Sequence, residues 1–311
     1  MPQGHFLPEG TRLNTPENRA VSTRAAMEKA AEEQRILEGV VTMCDASHNL
    51  IVDFNGMTGL IPRSEAAMGV ESGETKEIAV LSRVGKPVCF QIIGEGAGQY
   101  LFSRARVQRR ALHHFLQHLA PGDVVQARVT HLEPFGAFVD VGCGVTSLIG
   151  IEHISVSRIS HPAERFAVGQ MVYAAVGSVD PIRARISLTH RELLGTWLEN
   201  ASRFAPGETV SGIVRGNEDY GIFVELAPNL SGLAERKEGI PDGAGVSVYI
   251  KSIIPDKMKV KLIVIDTLEQ APSALIRPED YRITGGHLEH WRYSPPDKNG
   301  KITETWFGGQ S

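Results

Sequence analysis

Phe135 and Phe138 lie in Pro134-Phe135-Gly136-Ala137-Phe138-Val139-Asp140-Val141, and Tyr220 and Phe223 lie in Asp219-Tyr220-Gly221-Ile222-Phe223-Val224-Glu225-Leu226. Side chains alternate along a strand, so Ala137, Val139 and Val141 point one way while Phe138 and Asp140 point the other. Burial stabilises in proportion to apolar area, and a strand built only for a core would turn its largest apolar side chain inward. A phenylalanine on the face of an aspartate therefore reads as a ring held on a wet surface. Gly136 beside it allows close approach to the backbone. Such rings can stack on any nucleobase, each stacked base being worth on the order of 1–3 kcal/mol.

Charge for a phosphate backbone comes from two alternating strands. Arg183, Arg185 and Ser187 share a face opposite Ala184, Ile186 and Leu188, and Lys257, Lys259 and Lys261 share one opposite Met258, Val260 and Leu262. Alternating lysines also protect an edge strand from aggregation, so the lysine row alone does not decide its purpose. The stretch Arg104 to Arg110 holds four arginines, Arg104 and Arg106 among them, which either line a backbone-binding groove or form a solvated strand end.

Other chemistry is poorly provided for. His114 and His118 stand four apart at a metal-compatible spacing, but no acidic or cysteine ligand is near, and His287 with His290 is weaker still. The three cysteines, Cys44, Cys89 and Cys143, form no paired motif, which fits reduced thiols in the cytoplasm. No glycine loop cradles a phosphate and no nucleophile sits with a base. The expectation is a protein without catalytic residues, metal or cofactor.

The elements that carry these residues repeat. Pro121-Gly122-Asp123-Val124-Val125 opens one unit and Pro206-Gly207-Glu208-Thr209-Val210 the next, at the same offset that relates the two aromatic strands. A weaker copy runs from Glu38-Gly39-Val40-Val41-Thr42 to Leu50-Ile51-Val52-Asp53, with His48 and Ile51 at the register of Phe135 and Phe138. Three copies of roughly 70–80 residues mean a tandem array of small domains. Short β runs split by Gly and Asn make each an all-β barrel. The expected division is an N-terminal arm and helix over 1–34, a divergent first unit over 35–108 and a helical linker over 109–120. The second unit follows over 121–190, a second helical linker over 191–205, the third unit over 206–266 and an extension over 267–311. In the arm, Asn14-Thr15-Pro16-Glu17 caps a helix continuing through Arg24–Glu33. In the extension, two of the three tryptophans lie in a hairpin around Pro295-Pro296-Asp297-Lys298-Asn299-Gly300, where they pack it onto a neighbour.

The net charge of −4 argues against nonspecific duplex binding but leaves room for single strands, where stacking carries much of the energy and the positive charge is local. No apolar run is long enough to span a bilayer, and Met1-Pro2-Gln3-Gly4-His5 does not read as a secretion signal.

The middle unit resembles the S1 RNA-binding domain, the module repeated in bacterial ribosomal protein S1. The likeness rests on Gly122-Asp123-Val124-Val125, Phe135-Gly136-Ala137-Phe138-Val139-Asp140, His161-Pro162 and Asp180-Pro181 through Arg185-Ile186-Ser187-Leu188. Tyr220-Gly221-Ile222-Phe223-Val224-Glu225 extends it to the third unit. The resemblance implies an all-β chain of three five-stranded OB-fold barrels whose strand 2–3 face binds single-stranded RNA. It implies that Phe135 and Phe138 stack bases, Asp180 holds a loop and Arg185 meets phosphates or a base, with Tyr220, Phe223 and Lys259 as third-unit counterparts. The family often has a histidine after strand 3, where this chain has Pro62, Gly150 and Glu235.

Two functions follow from different classes. The first is a monomeric cytoplasmic protein that binds single-stranded RNA, messenger RNA above all, with the small ribosomal subunit as a further partner and no membrane. The second is a protein-docking array of OB barrels. An RNA face leaves Phe138 and Phe223 open beside Arg185 and Lys259; a docking face buries them.

Overall fold

The structure, a computed structural model, describes residues 3–96, 98–296 and 302–308. Its strands form three closed five-stranded barrels and one two-stranded sheet. The first barrel comprises β1 (Leu37–Cys44), β2 (Leu50–Phe54), β3 (Met57–Ile61), β4 (Pro87–Gly96) and β5 (Gln99–Ser103). The second comprises β6 (Val124–Glu133), β7 (Gly136–Asp140), β8 (Thr146–Gly150), β9 (Met171–Asp180) and β10 (Arg185–Thr189). The third comprises β11 (Thr209–Glu218), β12 (Gly221–Ala227), β13 (Leu230–Ala234), β14 (Gly245–Ile254) and β15 (Lys259–Thr267). In all three, the strands close in the spatial order first, second, third, fifth, fourth, with the third and fifth parallel. That is the connectivity of an OB fold.

The repeat in sequence is a repeat of physical devices. Gly122 and Gly207, both at positive φ, hand their N–H groups to Val176 and Ile250 on the fourth strand of their own barrels, each at 2.8 Å. Gly85, Gly169 and Gly243 take the left-handed conformation before the fourth strand and donate to Val41, Val129 and Val214. Glycine has no Cβ to oppose that turn. Immediately after each of these valines the first strand bulges, at Thr42, Thr130 and Arg215. A bulge increases twist and bends the strand, which helps so short a sheet close on itself.

The connections differ from a plain reading of periodicity. The N-terminal helix is two pieces, α1 (Pro16–Arg19) and α2 (Arg24–Glu32), capped by the Thr15 and Thr23 hydroxyls. A short α3 (Glu77–Leu81) precedes β4. The helix after the first barrel, α4 (Arg104–His118), begins well before Ala111 because Ser103 Oγ caps it by accepting from Arg106 N at 3.0 Å. The second connection is not one helix from Arg191 to Asn200. A 3-10 turn (Arg191–Leu194) stops at Gly195, whose φ of 83° leaves the helical region, and α5 (Trp197–Ala201) restarts with a Thr196–Glu199 capping box.

Buried ionic contacts and the extension join the barrels. Arg104 on α4 makes a two-pronged pair with Glu9 of the arm, Nε to Oε1 at 2.6 Å and Nη2 to Oε2 at 2.9 Å. Glu9 N in turn donates to Asp140 of the second barrel at 2.7 Å. After β15 the chain runs back along the second barrel, where Ile276 enters its core. Tyr281 Oη there lies 2.9 Å from His190 Nε2. The extension ends in β16 (His290–Arg292) paired antiparallel with β17 (Glu304–Trp306), the expected hairpin; its turn falls outside the described residues. Trp291, Tyr293 and Phe307 pack into a buried apolar cluster that the third barrel shares with Val124 and Ala175 of the second, while Leu288 N donates to Gly122 O of the second at 2.9 Å.

Candidate nucleic-acid interface

One row of side chains crosses each barrel at the same register. In the second barrel Phe138 on β7 faces Leu148 on β8, which lies beside Ser187 on β10. The third barrel repeats this as Phe223, Leu233 and Lys261, and the first as Ile51, Leu60 and Leu101. Two residues earlier on the last strand, and so on the same face, stand Arg185, Lys259 and Gln99. The row thus runs from uncharged and aliphatic in the first barrel to aromatic and cationic in the third.

The third barrel brings most of its expected residues into one place. Tyr220 is 68% exposed and meets Phe223 edge to face, with ring centroids 6.1 Å apart. Both line a cleft of about 750 Å³ whose rim includes Lys251, Lys257, Lys259 and Lys261. A second cleft of about 410 Å³ also adjoins the two rings, and Arg158 of the second barrel contributes to it. Two rings between two openings, with four lysines on one side, supply stacking surface and phosphate charge together.

The second barrel holds a smaller version. Phe135 is 56% exposed and packs edge to face on Phe138 at 5.9 Å. His131 lies beyond, 6.3 Å from Phe138. Asp180 Oδ1 accepts from the backbone N–H groups of Ile182 and Arg183, both at 3.0 Å, and so folds the turn that leads into β10. Arg185 is exposed at the start of that strand.

Several sequence expectations change. Arg183 is not on the strand with Arg185: it lies in the turn, 3.6 Å from Asp180, because Ala184 adopts a left-handed φ of 52°. Lys257 likewise belongs to a 3-10 turn (Pro255–Lys257), with Met258 at φ 48° before the strand begins, yet it reaches the same cleft as Lys259. Arg104 is buried, its guanidinium engaged by Glu9, and faces no solvent for a phosphate to occupy. Arg106 is exposed, but on α4 rather than on any strand of the aromatic rows.

Asp140 and Glu225 are not on a wet face with the aromatics; they are 2% and 4% exposed. The arm covers Asp140, where burial and then the nearby Glu9 carboxylate push its carboxyl up to about 7. Arg165 and Arg215 cover Glu225, each donating to Oε2 at 2.6 Å. In the first barrel His48 Nδ1 lies 2.6 Å from Glu77 Oε2, so its ring is tied to α3. Lys251 and Arg158 were missed. Exposed alternation along β14 marks Lys251, whereas Arg158 sits in a loop with no local signal.

A family model described as the S1 RNA binding domain matches residues 118–191, the span of the second barrel. The second barrel is an S1 domain. Among curated relatives, small ribosomal subunit protein bS1 of Leuconostoc lactis is 30% identical over 242 residues, covering 72% of this chain and 54% of its own length. Small ribosomal subunit protein bS1 of Staphylococcus aureus strain COL is 28% identical over 286 residues, covering 85% of this chain and 69% of its own. The chain therefore spans about half of the first relative and about two thirds of the second. A crystallised multidomain protein with nucleic acid binding domains from Streptococcus pneumoniae is similar at 15% identity and a TM-score of 0.25, over 74% of this chain and 73% of that one. The third barrel repeats the strand order and aromatic register of the S1 domain, and the first repeats its order with His48 and Ile51 in place of the phenylalanine and tyrosine rings.

Proposed function

We propose that the protein binds single-stranded RNA on the aromatic rows of its second and third barrels and works in translation, in the cytoplasm, on messenger RNA or at the small ribosomal subunit. The observation that carries this reading is the third-barrel cleft, where the exposed Tyr220 and the half-buried Phe223 stand beside Lys251, Lys257, Lys259 and Lys261. Rings stack on bases without regard to sequence, and the lysines track phosphates, so sequence preference is modest. A single barrel binds weakly. Two barrels fixed to each other raise the effective concentration of the second contact, and affinity rises when one RNA spans both. The match to the S1 domain and the ribosomal names of the relatives support the same assignment.

The test is fluorescence anisotropy of a labelled single-stranded RNA of roughly twenty nucleotides, enough to span more than one OB barrel, titrated with the intact chain over a salt series. Binding that weakens as salt rises is the expected result. Absence of binding at low salt overturns the reading and leaves the barrels as a protein-docking array.

A further inference from the structure

Only one of the three tryptophans is open to solvent: Trp306 is 56% exposed, whereas Trp197 and Trp291 are 2% and 5% exposed. Trp306 lies on β17 of the terminal hairpin, its indole stacked on His290 with centroids 3.8 Å apart and planes 20° from parallel. The hairpin is anchored beside the S1 barrel through Thr305, whose Oγ1 donates to Glu192 Oε1 at 2.9 Å. Between the two lies a cleft of about 370 Å³, bordered by Trp306 on one side and by Leu148, Gly150 and Ser187 on the other. That volume falls in the range of small-ligand clefts, about 300–1,000 Å³.

The cleft continues the aromatic row. Leu148 faces Phe138 across β7 and β8, and Ser187 follows Leu148 on β10, so the path from Phe138 to Trp306 crosses two neighbouring side chains. Gly150 presents no side chain of its own, and the Glu152 carboxylate lies over that position. Arg191, ion-paired with Glu192 at 3.2 Å, lines the wall together with His153, Glu152 and Glu192. The exposed indole at the end of the stacking row forms a site for one more base, held by stacking rather than by charge because the Arg191 guanidinium is already paired with Glu192.

We infer that the terminal hairpin lends Trp306 to the S1 barrel as an additional stacking platform, extending its single-stranded RNA track beyond the barrel's own residues. This rests on the RNA-binding reading above. His290 holds the indole in place, so the ring is ordered before the base arrives and little side-chain freedom is lost on binding.

Trp306 is also its own reporter. Collisional quenching of tryptophan emission by acrylamide, measured on the full chain with and without the same single-stranded RNA, is expected to fall when RNA saturates the protein. By anisotropy, Trp306→Ala is expected to bind about tenfold more weakly and Trp306→Phe within about twofold of the intact chain, as loss and retention of one stacked base require. Because the side chain is exposed, the melting temperature of both variants should match that of the parent. If Trp306→Ala binds as tightly as the parent while Phe135→Ala/Phe138→Ala does not, the hairpin is not part of the track although the barrel binds RNA. If the intact chain binds no RNA at low salt, both readings fall together.

Discussion

Arg165 of the second barrel reaches into the third, its Nη2 lying 2.6 Å from Glu225 Oε2, with both side chains almost fully buried. Arg215 approaches the same oxygen at 2.6 Å and also pairs with Glu164, so two arginines and two carboxylates alternate across the junction. Charges removed from water persist only when paired and hydrogen-bonded. The junction is therefore tight, and it sets how the two aromatic rows lie relative to each other.

Removing one partner should expose that dependence. Glu225→Ala leaves Arg165 and Arg215 buried against no carboxylate but Glu164, and a loss of ~3–5 kcal/mol is expected for breaking a buried pair. Urea unfolding of the variant and parent measures it. Exchange of the exposed Arg183, paired only with Asp180 in solvent, should change stability by less than ~1 kcal/mol.

His190 provides a pH signature. It is buried, with Nδ1 2.7 Å from the Ile154 carbonyl and Nε2 2.9 Å from Tyr281 Oη, the arrangement of a neutral ring that donates at one nitrogen and accepts at the other. Burial lowers its pKa from 6.5 to about 4. Between those values the unfolded chain binds a proton that the folded chain refuses. The stabilisation is thus complete above about pH 6.5 and fades as pH falls towards 4. Thermal melts at several pH values should show a smaller acid-side loss for His190→Gln than for the parent, even though the variant is less stable at neutral pH.

The lysine rim should govern salt dependence. Each phosphate neutralised on a single strand steepens the plot of log affinity against log salt by about 0.7. Lys259→Ala and Lys261→Ala should each flatten that slope by about this amount, measured by anisotropy over the salt series. Arg104→Ala should leave the slope unchanged and lower stability instead, because its partner is the buried Glu9.

The first barrel should contribute little. Its row is Ile51, Leu60 and Leu101 with Gln99, and His48 is held by Glu77. With the His48 ring tied to Glu77 and the row otherwise aliphatic, His48→Ala/Ile51→Ala should change RNA affinity by less than about twofold, again by anisotropy.

The barrels and their rows were legible because they obey local rules. Period-two alternation placed Phe138, Arg185, Phe223 and Lys259 on outward faces, and the repeated Pro-Gly openings marked where the second and third barrels begin. The failures share a physical cause: the deciding neighbour lies far away in sequence. Asp140 looks exposed until the arm brings Glu9 N to it, and Glu225 looks exposed until Arg165 arrives from another barrel. Arg104 was misplaced for a nearer reason, since Ser103 caps a helix that the arginine run did not advertise. Trp291 and Trp306 occupy different sides of one hairpin, and only the packing against the apolar cluster shared by the second and third barrels shows which is buried.

The most direct measurement compares two double variants with the intact chain in one anisotropy titration against the same single-stranded RNA. Tyr220→Ala/Phe223→Ala and Phe135→Ala/Phe138→Ala should each bind more weakly by about tenfold or more, the loss of at least one stacked base, while their melting temperatures stay near that of the parent. Affinity unchanged in both variants would contradict the account, because RNA would then be held somewhere other than on these rings.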